Sequence, residues 1–213
     1  MFFKKIKAVH VVAILILFFA VGIAGLAIPA SHSLFVRLTP LCLLLSLSVL
    51  ILFHTDWRSR LVTYFLIVFT AGFLVEAIGV NTSVIFGEYS YGPVLGLKIW
   101  GTPLMIGVNW LLLTYTTWDM TGRVKIPVVL RVIAASALMV FFDFFIEPVA
   151  ISMGMWSWNG GHIPLQNYLA WFIVSLIFFT LAALLKIKVR NKISIPLWLI
   201  LFTFFIFLQL FKI

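Results

Sequence analysis

The sequence predicts an all-α, polytopic membrane protein with about seven transmembrane helices. Of its 213 residues, 64% are hydrophobic and only 10% are charged, which excludes a water-soluble domain with a polar surface. A helix needs about 20 mostly apolar residues to cross roughly 30 Å of hydrocarbon. The predicted spans are Val9–Ile28, Leu38–Phe53, Leu61–Gly79, Pro103–Trp118, Pro127–Glu147, Gln166–Leu185 and Ile195–Phe211.

The first span follows a short basic segment, as the apolar part of a signal peptide would. Its apolar run is longer than a signal peptide requires, so we interpret it as a membrane helix. A loop over residues 29–37 is expected to join it to the second span. The single cysteine, Cys42, lies inside that second span, where no disulfide within the chain is possible and packing is the simplest role.

The net charge of +9 reflects membrane topology rather than binding of nucleic acid. Basic residues alternate by loop, and the positive-inside rule then predicts a cytoplasmic N-terminus and an external C-terminus in the cell (inner) membrane. Asp56 and Asp119 are expected at solvated ends of the cytoplasmic side. The basic residues assigned to that side are Lys4, Lys5, Lys7, Arg58, Arg60, Arg123, Lys125, Arg131, Lys186, Lys188, Arg190 and Lys192.

Spans three to six contain a repeated pattern of an acid, Gly-x-aromatic-Ser-aromatic, and a Pro-Leu that opens the next helix. Glu76 lies eleven residues before Gly87, and Asp143 lies eleven before Gly154. Because spans three and five run in the same direction, the pattern predicts a parallel repeat about an axis along the membrane normal. The units are residues 61–118 and 127–185 of a single transmembrane domain, 1–213.

Four acids on the external side are the candidate catalytic residues: Glu76, Glu88, Asp143 and Glu147. Asp143 and Glu147 share one helical face because they are four residues apart. A carboxylate inside the membrane costs about 2.5–3.5 kcal/mol or more, so such groups usually mark function. Burial and a neighbouring acid both favour a protonated carboxyl, which predicts acid/base chemistry. The alternative is that these acids are interfacial helix ends.

Aromatic and amide side chains accompany these acids and are the candidate substrate-binding residues. Aromatic faces can stabilise a carbocation, but they also form belts at membrane interfaces. The amides would orient water or bond across helices. The sequence has no metal-binding cluster, phosphate loop or nucleophile elbow, so neither metal nor cofactor is expected. The candidates are Tyr89, Tyr91, Asn109, Trp110, Trp156, Trp158, Asn167 and Trp171.

Across residues 60–175 these motifs together resemble the CruF-type carotenoid 1′,2′-hydratase family. The resemblance implies addition of water across the terminal double bond of an acyclic carotenoid, such as lycopene or γ-carotene, to give a tertiary alcohol without a cofactor. It implies a carotenoid, water and membrane lipids as partners, together with other enzymes of carotenoid biosynthesis. The motifs are Glu76–Val80, Phe86–Tyr89, Gly101–Pro103, Asn109-Trp110, Asp143, Glu147–Ala150, Gly154-x-Trp156-x-Trp158 and Ile163-Pro164-x-x-Asn167-x-x-x-Trp171.

Two alternatives remain open at this stage. Membrane carotene cyclases also begin by protonating a carotenoid end, but they typically carry Pro-x-Glu-Glu where this chain has Pro164-Leu165-Gln166-Asn167. The missing acid pair argues against cyclisation. A non-catalytic carotenoid or lipid binder, or a small transporter, would use the same polar cavity and would tolerate replacement of the acids by amides.

Overall fold

The computed structural model describes residues 7–212, which form eight α-helices and four short strands. Lys4 and Lys5, which contributed to the predicted topology, lie outside the described residues. The helices are α1 (Ala8–Ala27), α2 (Pro29–Arg37), α3 (Thr39–Phe53), α4 (Ser59–Thr82), α5 (Met105–Thr121), α6 (Val128–Ser152), α7 (Leu165–Leu184) and α8 (Ser194–Leu210).

The chain is a helical membrane protein, although a count of seven spans is not confirmed. Within residues 7–212, four helices are long and apolar enough to cross a membrane: α1, α4, α6 and α7. The bent pair α2/α3, with 54° between its helices, adds a fifth when taken as one span. Helices α5 and α8 have only 17 residues each. Exposed apolar side chains such as Leu17, Leu66 and Val129 cover the outside of the bundle, as a lipid environment requires.

Two predicted boundaries were wrong for local reasons. Residues 29–37, expected as a loop, form α2, because Pro29 stands in the first turn, where proline needs no N–H partner. Helix α6 does not stop at Glu147 but continues past Pro148 to Ser152. Proline removes one N–H from the helix ladder without forcing it to end. Asp143 and Glu147 therefore lie further from the helix end than the sequence implied.

Helix α5 is central and almost wholly buried, with α3, α4, α6, α7 and α8 packed around it. Two glycines allow α4 and α5 to approach closely. A Cβ on Gly72 would lie 2.7 Å from Trp110, and one on Gly107 would lie 2.8 Å from the backbone oxygen of Phe69. Small residues at such crossings are typical of membrane helix pairs. The Trp110 side chain of α5 therefore packs directly against the backbone of α4 at Gly72.

Short strands cover one end of the bundle, which we call the strand end. Strands β1 (Tyr89–Tyr91) and β4 (Trp156–Trp158) pair antiparallel, and so do β2 (Lys98–Ile99) and β3 (Thr102–Pro103). Because Thr102 and Pro103 belong to β3, α5 begins at Met105, two residues after the predicted start at Pro103, and it ends at Thr121. A turn of 3₁₀ helix, Asn159–Gly161, follows β4.

The opposite end, which we call the basic end, holds a buried polar cluster around Asp119. We expected this acid to be solvated, but it is fully buried. Its carboxylate accepts two hydrogen bonds from Arg123, at 3.2 and 3.0 Å, and one from the backbone N–H of Asn191 at 3.0 Å. The Asn191 amide donates to the Leu50 carbonyl and to Tyr115 Oη, both at 2.8 Å. The cluster, named the Asp119 latch below, joins α3, α5 and the segment before α8.

Candidate active site

The strand pair β1–β4 turns four aromatic side chains towards the ends of α4 and α6. Side chains alternate along a strand, so Ser90 and Ser157 point to solvent while the flanking aromatics point inward. Each strand follows a glycine in the left-handed region, Gly87 with φ 106° and Gly154 with φ 66°. Only glycine adopts this conformation at little cost, and it lets the chain fold back over the helix end.

Glu76 near the end of α4 is surrounded by neutral hydrogen-bond donors. Its Oε2 accepts hydrogen bonds from the hydroxyls of Tyr89 at 2.6 Å and Tyr91 at 2.8 Å. Its Oε1 accepts one from the indole N–H of Trp110 at 3.2 Å. Three donors to one carboxyl favour its ionised form. Burial, followed by the charge of Glu76, raises the pKa of Tyr91 well above its usual value, which keeps that hydroxyl protonated and donating.

Glu147 and Asp143 of α6 share a single amide. The indole N–H groups of Trp156 and Trp158 each donate to Glu147 Oε2 at 2.9 Å. The side-chain amide of Asn167, in α7, donates to Glu147 Oε1 at 3.1 Å and to Asp143 Oδ2 at 2.9 Å. Among the side-chain hydrogen bonds within residues 7–212, this amide is the one donor to Asp143. The two carboxyls of α6 therefore have unequal surroundings.

These groups line one small cavity of about 20 Å³ at the strand end. Eleven of the twelve predicted site residues line it, and the exception is Glu88. The side chain of Glu88 is exposed and accepts a hydrogen bond from Asn159 at 2.6 Å. His162, expected on the surface, is also exposed. The eleven are Glu76, Tyr89, Tyr91, Asn109, Trp110, Asp143, Glu147, Trp156, Trp158, Asn167 and Trp171.

Trp110 and Trp171 form the aromatic wall of this cavity. Their rings stack with centroids 4.2 Å apart and planes inclined by 19°. Each is seven residues after the proline that precedes its helix, so both enter from the strand end at similar depth. Tryptophan has the aromatic face that attracts cations most strongly. The wall offers such a face close to three acids.

The acid cavity contains no basic side chain. Its lining includes no Lys, Arg or His, and the ion pairs found within residues 7–212, Arg58–Asp56 and Arg123–Asp119, lie at the basic end. Glu76, Asp143 and Glu147 each expose 4% or less of their surface. The described residues include no cluster of His, Cys, Asp or Glu arranged to hold a metal ion. The chemistry available to these groups is proton transfer and stabilisation of positive charge.

The contacts revise the register of the repeated pattern. Counting from the glycines equates Glu76 with Asp143, whereas the hydrogen bonds equate Glu76 with Glu147, since each binds both aromatics of its own motif. Glu147 is one helical turn nearer the strands. The sequence analysis also missed Ile106 and Ile146, which line the cavity. As apolar residues in apolar helices they carry no distinguishing signal.

Comparison with known proteins agrees with this picture. The family model described as "carotenoid biosynthesis protein" matches residues 38–213. Bisanhydrobacterioruberin hydratase from Haloarcula japonica is 26% identical over 131 residues, which is 55% of this chain and 42% of that protein. The chain thus spans less than half the length of that curated relative. No solved structure matches the chain significantly.

Proposed function

Because the chain belongs to the carotenoid biosynthesis protein family, we propose that it hydrates the terminal 1′,2′ double bond of an acyclic carotenoid end. Lycopene, γ-carotene or a similar polyene is the substrate, and the product is a tertiary alcohol. The observation that carries this proposal is the set of three buried acids beside a tryptophan wall, without a basic partner. The relative from Haloarcula japonica is named bisanhydrobacterioruberin hydratase, which supports hydration as the reaction.

Asp143 is the proton donor in this proposal. Hydrogen bonds to a carboxylate favour its charged form, and Glu76 and Glu147 each accept three such bonds. Asp143 accepts one. A buried carboxyl with so few donors, close to a second acid, is the one best suited to carry a proton. Its neighbour Asn167 fixes its orientation towards the cavity.

Protonation uses the π electrons of the terminal double bond to form a new C–H bond and leaves a carbon–carbon single bond. The proton of Asp143 adds to the 2′ carbon and leaves a tertiary cation at the 1′ carbon. The ionised groups of Glu76 and Glu147 and the faces of Trp110 and Trp171 stabilise that cation. Such groups act strongly in a buried site, because the local dielectric is low.

A water molecule then adds to the 1′ carbon and loses one proton. Glu147 accepts this proton, and its return to Asp143 restores the starting state. One proton is consumed and one is released, so the reaction needs neither an oxidant nor a cofactor. General acid and base groups contribute about 10²–10⁴-fold each to such steps.

We also propose the full topology: seven crossings with a cytoplasmic N-terminus and an external C-terminus in the cell membrane, and a two-fold repeat of units 61–118 and 127–185 in one domain. The antiparallel register of β1 and β4 supports the repeat, because Tyr89 faces Trp158 while Tyr91 faces Trp156. The flanking bonds, Gly92 N–H to Met155 and Asn159 N–H to Glu88, obey the same symmetry. Labelling single cysteines at Ser90 and Lys125 in a Cys42→Ala background tests sidedness: only the former should react from outside.

Pigment analysis tests the reaction directly. The chain is expressed in bacteria that accumulate lycopene and, separately, γ-carotene, beside empty-vector cells, and the extracted pigments are compared by chromatography and mass. We expect products heavier by one or two waters with an unchanged chromophore, and heavy oxygen from labelled water in the new hydroxyl. A product of unchanged mass with a blue-shifted spectrum would indicate cyclisation. Unaltered pigment in both hosts, with the protein present in the membrane, would contradict hydration of these substrates.

A further inference from the structure

A second, larger cavity adjoins the acid cavity. It has a volume of about 160 Å³ and lies between α1, α2, α3, α5, α6 and α8, and we call it the apolar groove. Phe19 and Gly22 of α1 form one wall, Cys42 of α3 faces the groove from another, and Phe204 of α8 closes it. The groove volume is below the roughly 300–1,000 Å³ of pockets that hold drug-sized ligands, so the groove has room for a segment of a long apolar molecule.

The groove and the acid cavity meet at one residue. Asn109 of α5 lines both of them. Two further groove residues, Phe142 and Met155, are the chain neighbours of Asp143 and Trp156, which line the acid cavity. A linear molecule whose end reaches Asn109 in the groove is therefore next to the acid cavity.

The lining selects for an uncharged, apolar occupant. It contains no Lys, Arg, Asp, Glu or His, and its polar side chains are limited to Thr39, Cys42, Ser46 and Asn109. A phospholipid would bring a charged headgroup for which this lining has no partner. A hydrocarbon polyene has no charged group. It would make van der Waals contacts with the phenylalanine and leucine side chains that line the groove.

We propose that the apolar groove binds the polyene chain of an acyclic carotenoid next to its reacting end, with that end placed beyond Asn109 in the acid cavity. This inference rests on the substrate class proposed above. The groove holds only part of a long carotenoid, and the remainder lies among the lipids outside the bundle. The arrangement assigns a substrate-binding role to α1, α3 and α8, which contribute no residue to the acid cavity.

Substitutions that fill the groove test the proposal. Gly22→Phe places a ring in the groove, since a Cβ at Gly22 meets only an ordinary 3.5 Å contact with Phe204. Cys42→Trp fills it from the α3 side. The matched controls are Leu17→Phe on α1 and Leu44→Trp on α3, which add aromatic rings at lipid-facing positions outside the groove.

Lycopene binding is measured on purified protein in an Asp143→Asn background, so that turnover does not alter the pigment. We expect each groove variant to bind lycopene roughly tenfold more weakly, an effect of about 1.4 kcal/mol, and the controls to bind within about twofold of the parent. Equal binding by the groove variants and their controls would overturn the proposal. Whether the parent chain hydrates lycopene is a separate result, so failure of hydration and failure of groove binding are distinguishable.

A second measurement needs no groove-filling variant. Cys42 is the one cysteine of the chain and lines the groove, so alkylation by a small apolar maleimide reports on occupancy. We expect lycopene to slow the alkylation at least fivefold in phosphatidylcholine nanodiscs, compared with nanodiscs lacking pigment. Alkylation that is equally fast with and without pigment would show that the pigment binds elsewhere. Equal slow alkylation with and without pigment would indicate a groove already filled by lipid, and would likewise overturn the proposal.

Discussion

The acid cavity and the Asp119 latch lie at opposite ends of α5, and both contain fully buried acids. In the latch, the charge of Asp119 is balanced by Arg123, and its oxygens accept three hydrogen bonds. In the acid cavity, three acids meet only neutral donors from Tyr, Trp and Asn side chains. The first arrangement is complete in itself, whereas the second leaves three carboxyl groups without a cationic partner within residues 7–212.

The difference shows how to distinguish, within one membrane protein, buried acids that stabilise the fold from buried acids that can take part in a reaction. A buried acid paired with a cation joins distant segments, and removing one partner leaves the other uncompensated. Acids held by neutral donors have no such partner, and a positively charged transition state is the natural complement. Amide substitutions at the two ends are therefore expected to have different effects. In the acid cavity they should lower activity, and in the latch they should lower stability.

The largest expected effect is that of Asp143→Asn on catalysis. The new amide can present its oxygen to Asn167 and keep that hydrogen bond, but it has no acidic proton to deliver. We expect hydration to fall at least 10²-fold, measured as hydrated carotenoid per amount of membrane protein. The melting temperature of the purified protein should change little. Undiminished hydration by this variant would remove Asp143 from the mechanism.

The corresponding change in the latch, Asp119→Asn, is expected to act on stability. It removes the charge that balances Arg123, and we expect a loss of about 2 kcal/mol in the free energy of unfolding, less than for a wholly buried pair because Arg123 is partly exposed. Thermal melting in detergent measures this loss. Hydration per folded molecule should stay near the parent value, and a large fall in it without a change in melting would contradict the structural role.

Two tyrosine substitutions test the same difference between the acid cavity and the latch, with smaller expected effects. Tyr91→Phe removes one of the three hydrogen bonds to Glu76, and we expect a roughly five- to tenfold lower kcat, equivalent to about 1 kcal/mol. Tyr115→Phe removes the latch hydrogen bonds to His54 and Asn191. It should lower the free energy of unfolding by about 1 kcal/mol and leave kcat unchanged. The kinetics and thermal melting of both variants, measured in parallel, test these two roles. A loss of stability in Tyr91→Phe together with a loss of kcat in Tyr115→Phe would contradict them.

The sequence predicted the helical membrane fold because that prediction depends on composition and on the length of apolar runs. It also singled out most of the acid cavity, because acids such as Glu76 stand out within apolar helices and because the motifs of β1 and β4 are alike. It failed where partners come from distant segments. Asp119 and Asn191 are far apart in the chain, and nothing local signals that they meet.

Two further features lay beyond the sequence for different reasons. The equivalence of Glu76 with Glu147 depends on helical phase and on the path of α6 through Pro148, neither of which residue counting provides. The apolar groove is formed by residues from six helices, and its lining has the same composition as a lipid-facing surface. Only the packing of α1 against α8, and of α3 and α8 against α5, distinguishes Gly22 from a lipid-facing residue such as Leu17.

Glu88→Gln is expected to have the smallest effect, although the sequence placed Glu88 among the candidate catalytic acids. Its side chain is exposed and hydrogen-bonded to Asn159, so it is screened by water and lies outside the acid cavity. The amide oxygen of glutamine can accept the same hydrogen bond, and we expect hydration within twofold of the parent and a stability change below about 0.5 kcal/mol. Asp143→Asn in the same host provides the reference for a catalytic loss. A tenfold fall for Glu88→Gln would show that the carboxylates outside the cavity also act in the reaction, and the distinction between acids inside and outside the cavity would then fail.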